Sequence, residues 1–311
     1  MSIVSYCSRE LEYLDAVVRN ARRASDLVVL CVGTRLYTGE PEDFGPPAAH
    51  VADEDEALGL GAVIMATYDV SSAGLKAPIV LHNAAREAGV DAARRWLRHE
   101  PFWALLLDGD EVPDGERLRG WWDAGGGGGV REAGPLVVHK MCNYWAFLDA
   151  RLVSRQHEDS VLLVHSDLLT RDALRHPRER DGVYIHHQTS PLGRHDVRVD
   201  GGVLGCDGQP LFWHFSWVRS TGGAVGAVGA VGAVGTHSRD ALKAKVRNWG
   251  HRHDRDWEAL IDAAMDQLES GVVPERDFVH GHELTLLPET PSVLTFSLGG
   301  DPEQKLDQNA E

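Results

Sequence analysis

The chain has 311 residues, 43% of them apolar, with 31 Lys+Arg against 47 Asp+Glu and a formal net charge of -16. That is length for one large α/β domain with decorations or for two average ones, and the composition lies well away from that of disordered chains. A chain this acidic is unsuited to holding a nucleic-acid backbone, no apolar run reaches the about 18 residues of a membrane span, and residues 1–10 have neither the basic start nor the apolar stretch of a signal peptide.

The chain opens with a short apolar strand, Ile3–Cys7, after which Ser8, Glu10 and Glu12 mark a helix start. Leu11, Leu14, Val17, Val18 and Ala21 then recur at helical spacing. Leu27–Val32 reads as a buried strand, and a polar, proline-containing loop follows through about Glu56. Ala62–Tyr68 is a third strand. Ile79–Ala88 and Ala92–Leu97 are predicted helical, parted by Gly89, and Trp103–Leu107 is a fourth strand running into Asp108-Gly109-Asp110. Strands separated by helices of this length predict a parallel sheet with helices on both faces. Beyond residue 130, Leu136–Met141, Val161–Val164, Val183–His186 and Leu211–His214 are short apolar runs without helices between them, which predicts added mixed or antiparallel strands. Helices return at Arg239–Trp249 and Trp257–Leu268.

No break in composition marks a linker, so residues 1–285 are expected to form one domain and 286–311 an extended arm or tail. Eleven of the 33 glycines lie in Gly125–Gly129 and in the repeat TGGAVGAVGAVGAVGT; both stretches, 124–130 and 221–236, read as flexible loop insertions. Neither joins a strand to a GK[ST] helix start, so neither is a phosphate cradle. Only five basic residues are Lys and 26 are Arg, spread along the chain as coding bias would spread them. Cys7, Cys31, Cys142 and Cys206 lie far apart with no CxxC pair, against a zinc knuckle or a disulfide scaffold. With no leader and no span, a cytoplasmic location is expected.

Asp108 and Asp110 are one of eleven acidic-x-acidic triplets in the chain. Their place distinguishes them: directly after FWALLL and before Val112-Pro113-Asp114-Gly115. Ligands of open α/β sheets bind at the carboxyl ends of strands, and two carboxylates there call for something positive. The alternative is a solvated turn with Asp114 as a helix cap.

LLLDGDEVPDG resembles the DxD segment of GT-A fold glycosyltransferases, especially relatives of family 2. So do Ile3–Cys7 with its following helix, the segment Ser25–Val29 leading into a loop, and Glu158-Asp159-Ser160, which matches the acidic ED motif that supplies the catalytic base in that family. HFSWVRS (214–220) and NWGHRHDRDW (248–257) resemble segments of a branch of such enzymes, some from large DNA viruses. The resemblance covers most of residues 1–260. It implies a GT-A (Rossmann-like) α/β fold: a mixed, mainly parallel central sheet flanked by helices, with added antiparallel strands and C-terminal helices. It implies transfer of a sugar from a nucleotide-diphosphate sugar to the hydroxyl of a glycan, protein or small-molecule acceptor, with inversion. A viral origin would place the work in host cytoplasm. The second strand ends VGTRLYTGEPED, without the acidic residues that usually read base and ribose, so no nucleotide base is assigned.

The implied roles follow the chemistry. A leaving diphosphate needs its charge neutralised, which Mn²⁺ or Mg²⁺ does as a Lewis acid. Asp110 is the first expected metal ligand; Asp108 bonds the donor's sugar or ribose or reaches the metal through water; His214, in WHFSW, completes the site as an imidazole suited to Mn²⁺. His251, His253, His186 and His187 are its rivals. Asp159, or else Glu158, is the expected base, free of the metal because a metal-bound carboxylate is a feeble base. Ser5 and Tyr6 at the end of the first strand, with Arg219 and Arg247 for the diphosphate, complete the donor set, and Tyr144 and Trp145 are placed to stack on a sugar face. For each side chain a plainer role stays open: core packing for His214, Tyr144 and Trp145, a surface or cap position for Glu158 and Asp159, solvated surface for the arginines. Two other functions fit parts of the pattern. Haloacid-dehalogenase-type phosphatases also end a strand in DxD, but as DxDGT near the N-terminus; here the segment is DGDEV, about a hundred residues in. A catalytically silent scaffold or binding module on the same fold is the other. Net charge speaks against nucleic acid and acidic membranes as partners, and self-association is left open.

Overall fold

The computed structural model describes residues 1–6, 10–33, 60–69, 78–175, 197–219, 238–247 and 254–294. Its first half alternates as expected: β1 (Ser2–Tyr6), α1 (Leu11–Ala24), β2 (Leu27–Gly33), β3 (Ala62–Tyr68), α2 (Pro78–Trp96) and β4 (Trp103–Asp108). β1 pairs in parallel with β2 on one side and β4 on the other, and β2 pairs in parallel with β3. Strand alternation divides the apolar residues between two faces. Val4, Tyr6, Val28, Leu30, Leu105 and Leu107 pack against Leu14, Val17, Val18 and Ala21 of α1. Ile3, Val29, Cys31 and Leu106 pack with Ala85, Val90 and Ala93 of α2. Each face thus buries a helix, as parallel strands need. α1 also carries Glu12 in its first turn and Arg22 and Arg23 in its last, the order its dipole favours.

Beyond the turn after β4 lie β5 (Glu111–Pro113), α3 (Gly115–Trp121), α4 (Gly127–Ala133), β6 (Val137–Phe147), β7 (Asp149–Ser154), β8 (Glu158–His165), α5 (Arg171–Leu174), β9 (Arg198–Val203) and β10 (Phe212–Trp217). Then come α6 (Arg239–Arg247), α7 (Trp257–Glu269) and β11 (Leu284–Leu286). The sheet runs β11-β7-β6-β8-β4-β1-β2-β3. β8 lies antiparallel to β4 and β6, β7 antiparallel to β6 and β11, whereas β9 and β10 pair in parallel with β6. The fold is α/β, with a mixed sheet flanked by helices. A third apolar cluster joins Leu242 and Val246 of α6, Ile261 and Met265 of α7, and Phe147, Leu152 and Trp217 of the sheet. No helix among the described residues is long and apolar enough to cross a membrane.

Four expectations are corrected. The glycine stretch at 124–130 is helical rather than a loop: a π-turn, Trp122–Gly126, leads into α4. The rings of Trp121 and Trp122 lie where side chains at 126 and 127 would sit, so glycine lets the turns close under them, and Val130 is buried. α2 runs unbroken through Gly89; burial of Ala85, Val90 and Ala93 offsets the roughly 1 kcal/mol of helix propensity that glycine loses. Glu158 and Asp159 lie inside β8 rather than before it. The expected arm is docked at its start: Leu287 N–H donates to Arg151 C=O at 2.8 Å, and a 3₁₀ turn, Ser292–Leu294, buries Val293 and Leu294. The Asn20 amide holds that turn by donating to Val293 C=O at 3.2 Å. The loop to Glu56, the strand 183–186, the repeat 221–236, the histidines at 186, 187, 251 and 253, residues 248–249 and 295–311, and Cys7 lie outside the described residues.

Candidate functional site

At the carboxyl end of β4, Asp108 sits opposite Ser5 of β1. The chain turns through Gly109 and Asp110 into β5, which pairs antiparallel with β10 and sets Glu111 against His214. A Cβ at 109 would lie 2.6 Å from Tyr6 Cβ and 3.0 Å from Glu10 Cβ, so only glycine fits between the two aspartates. The wholly buried Glu111 pins the turn, accepting from Asp108 N–H at 2.8 Å and from the Ser160 hydroxyl at 2.7 Å. Ser160 in turn accepts from the Asn143 amide at 2.7 Å. Phe215 N–H closes the corner on Asp110 C=O at 2.9 Å.

Asp110 is 3% exposed and faces three basic side chains. Its Oδ2 accepts from Arg219 Nη2 at 3.1 Å and Lys245 Nζ at 3.4 Å, while Oδ1 lies 3.5 Å from His214 Nε2. Burial alone would raise the Asp110 pKa, but Lys245, His214 and Arg219 outweigh it and hold the carboxyl well below its ordinary range. Lys245 is anchored on Ser216, through the carbonyl at 2.7 Å and the hydroxyl, and burial followed by Arg219 lowers its own pKa. Arg219 donates to the carbonyls of Phe215 and Val218, lies 3.6 Å from Glu12, and stacks over the Tyr13 ring. Buried Arg86 of α2 donates to Asp108 Oδ1 at 2.9 Å. Glu10 completes the corner: burial first, then the charges of Asp110 and Asp108, push its pKa up to about 8. Arg86 pairs with Asp108, and Arg219 and Lys245 pair with Asp110, so each of the two strand-end aspartates has a cation against it, as buried charges require.

Of the residues expected from sequence, Asp108, Asp110, His214 and Arg219 meet in this corner. The His214 ring stacks on Trp145, centroids 4.9 Å apart, and its Nδ1 is buried with no hydrogen-bond partner among the described residues. The other expected residues lie elsewhere. Ser5 and Tyr6 are buried beneath the corner, Tyr6 in the α1-side core, so their side chains build its wall. Arg247 is 61% exposed and binds Glu258 with both arms of its guanidinium, at 2.8 and 3.1 Å, away from the corner. Asp159 is held by Lys140 at 2.9 Å and by Gly202 N–H at 3.3 Å. Glu158 faces His282. The β8 residue that touches the corner, through Glu111, is Ser160, next along from that pair. Tyr144 donates to Gln209 at 2.7 Å and packs on Trp213 and His157.

Glu10, Glu12, Arg86 and Lys245 were not anticipated. Two traces of them exist in the sequence: Glu10/Glu12 is itself an acidic-x-acidic triplet, and Lys245 is a rare lysine in an arginine-rich chain. Arg86 carries no such mark.

The donor set fits a divalent ion in one way. Asp110 Oδ1 and His214 Nε2 face each other closely enough to share an ion, whereas Oδ2 is already taken by Arg219 and Lys245. An O,N pair of this kind suits Mn²⁺ better than Mg²⁺, with the other ligands from a phosphate or water. No protein-family model and no curated protein matches the chain.

Proposed function

We propose that the protein is a glycosyltransferase of the GT-A type that moves a sugar from a nucleotide-diphosphate sugar to an acceptor hydroxyl. The observation that carries this reading is the strand-end corner itself: an ionised, buried Asp110 facing His214, beside an Asp108 that Arg86 holds. Asp110 Oδ1 and His214 would hold Mn²⁺, which would supply the charge that a departing diphosphate needs. Asp108, held by Arg86 at the strand end, would bond a sugar or ribose hydroxyl of the donor. Trp145 packs on His214 and His280, and Tyr144 on Trp213, so these rings are walls of the site rather than the open platforms for a sugar expected from the sequence. In the transfer, the acceptor oxygen bonds to the anomeric carbon as the bond from that carbon to the diphosphate oxygen breaks. The acceptor proton needs a base, and the carboxylate proposed to take it is Asp159, which lies outside the corner and would have to leave Lys140, or Glu158 beside it.

One observation favours a different reading. Arg219 and Lys245 already pair with Asp110, so that carboxylate has partners without a ligand, as a silent scaffold would have it. Thermal unfolding separates the two. For a transferase, a nucleoside diphosphate plus Mn²⁺ raises the melting temperature by several degrees, and either alone does less. His214→Ala, which leaves both ion pairs of Asp110 intact, and Asp110→Asn each abolish the shift. If no nucleotide–metal pair stabilises the chain, or both variants keep the full shift, the transferase reading fails.

A further inference from the structure

We propose that Glu158, His280 and His282 form a second divalent-cation site, of the class that takes zinc, between the C-terminal hairpin and the start of β8. It does not rest on the transferase reading. Their ligand atoms all lie within 4.8 Å of one another. His282 Nδ1 is 3.3 Å from Glu158 Oε1, yet it is buried and makes no hydrogen bond. A buried imidazole nitrogen and a carboxylate oxygen at this distance, with no hydrogen bond between them, can bind one cation together.

The backbone around the two histidines is built to hold them. Residues 276–283 fold back, with a bridge between Arg276 and Glu283 and Asp277 N–H donating to His282 C=O at 2.9 Å. Inside the turn the buried Asp277 carboxylate accepts from four backbone N–H groups: Val279 at 2.8 Å, His280 at 2.6 Å, Gly281 at 3.3 Å and His282 at 2.8 Å. The same carboxylate lies 3.8 Å from His280 Nδ1, the place of an outer carboxylate that orients a ligating imidazole. The hairpin is fastened to the sheet next to Glu158 by Arg155 N–H donating to Glu283 C=O at 2.8 Å and Arg155 Nη1 on Glu283 at 3.0 Å. Ligands from both sides are therefore positioned independently of the ion.

Two imidazoles and one carboxylate select a borderline transition metal over calcium or magnesium, which prefer all-oxygen shells. Three protein ligands leave a coordination position open, and all three side chains are partly exposed, so water or a substrate hydroxyl can fill it. The His280 ring is 4.5 Å from Trp145, whose indole also stacks on His214. An ion here would share an aromatic wall with the strand-end corner. It would also bind Glu158, and a metal-bound carboxylate is a feeble base.

The test uses the full chain stripped of metal and dialysed against zinc, with bound metal counted by mass spectrometry. One zinc per chain is expected, retained in Asp110→Asn and His214→Ala, and lost in the His280→Ala/His282→Ala double variant. Glu158→Gln, a change at a partly exposed side chain, should weaken zinc by about tenfold or more. Cobalt in place of zinc should give visible absorption bands that vanish with the same two histidines. The proposal is overturned if no zinc binds, if the double variant keeps its zinc, or if His214→Ala loses it.

Discussion

Two carboxyl groups in one corner are driven in opposite directions. Asp110 meets cations and stays ionised; Glu10 meets the charges of Asp110 and Asp108 in a desolvated place and keeps its proton up to about 8. Because the folded value for Glu10 lies above the ordinary one, its contribution to stability is fully present below about 4.5 and is lost as pH climbs to about 8: the unfolded chain releases a proton that the folded one retains. Asp110 acts oppositely, stabilising the fold above the ordinary carboxylate range and failing only at strongly acid pH. Glu10→Gln, which mimics the protonated acid, should thus stabilise the protein by roughly 3–5 kcal/mol at pH 8 and hardly at all near pH 4. Urea titrations at the two pH values read this directly; equal effects at both would remove the proton from the account. At this scale, Asp108, Asp110, His214 and Arg219 were legible because strand ends and aromatic runs mark them. Lys245 was not, because it reaches Asp110 across 135 positions of chain and nothing local to α6 foretells that contact.

Among elements, the corner exists because β1, the start of α1 and the β4–β5 turn come into close contact. Gly109 lies at that contact. Gly109→Ala is expected to cost about 1–3 kcal/mol through forced movement of Tyr6 and Glu10, measured as a lower urea midpoint with unchanged slope. An unchanged midpoint would mean that the turn is looser than its packing indicates. The parallel half of the sheet was legible in the sequence, since each strand is a continuous apolar run flanked by helix-periodic segments. The second half was legible only as strands: β6 pairs with β7, β8, β9 and β10, and runs of apolar residues do not encode which neighbour each will choose. The glycine-rich helix was misread because composition alone ignores the two indoles that cover it.

For the whole molecule, the -16 charge has little to do with the corner, where Asp108 and Asp110 each pair with a cation. The excess lies elsewhere and repels itself. Raising ionic strength from about 0.1 M to about 1 M shortens the Debye length from about 10 Å to about 3 Å. Sodium chloride should therefore raise the melting temperature by a few degrees, since exposed pairs such as Arg155–Glu283 lose little, about 0–1 kcal/mol each. A fall on adding salt would show that surface pairing outweighs the repulsion. Docking of residues 286–294 extends the packed body past the end expected at residue 285.

Trp145, one of nine tryptophans, is flanked by His214 at 4.9 Å and His280 at 4.5 Å. Its excited state is therefore exposed to whatever occupies either imidazole. An open-shell ion such as Co²⁺ at that range drains the emission of the indole, whereas closed-shell Zn²⁺ leaves it lit. The chain thus carries an optical gauge of its own, set between the strand-end carboxylates and the C-terminal hairpin.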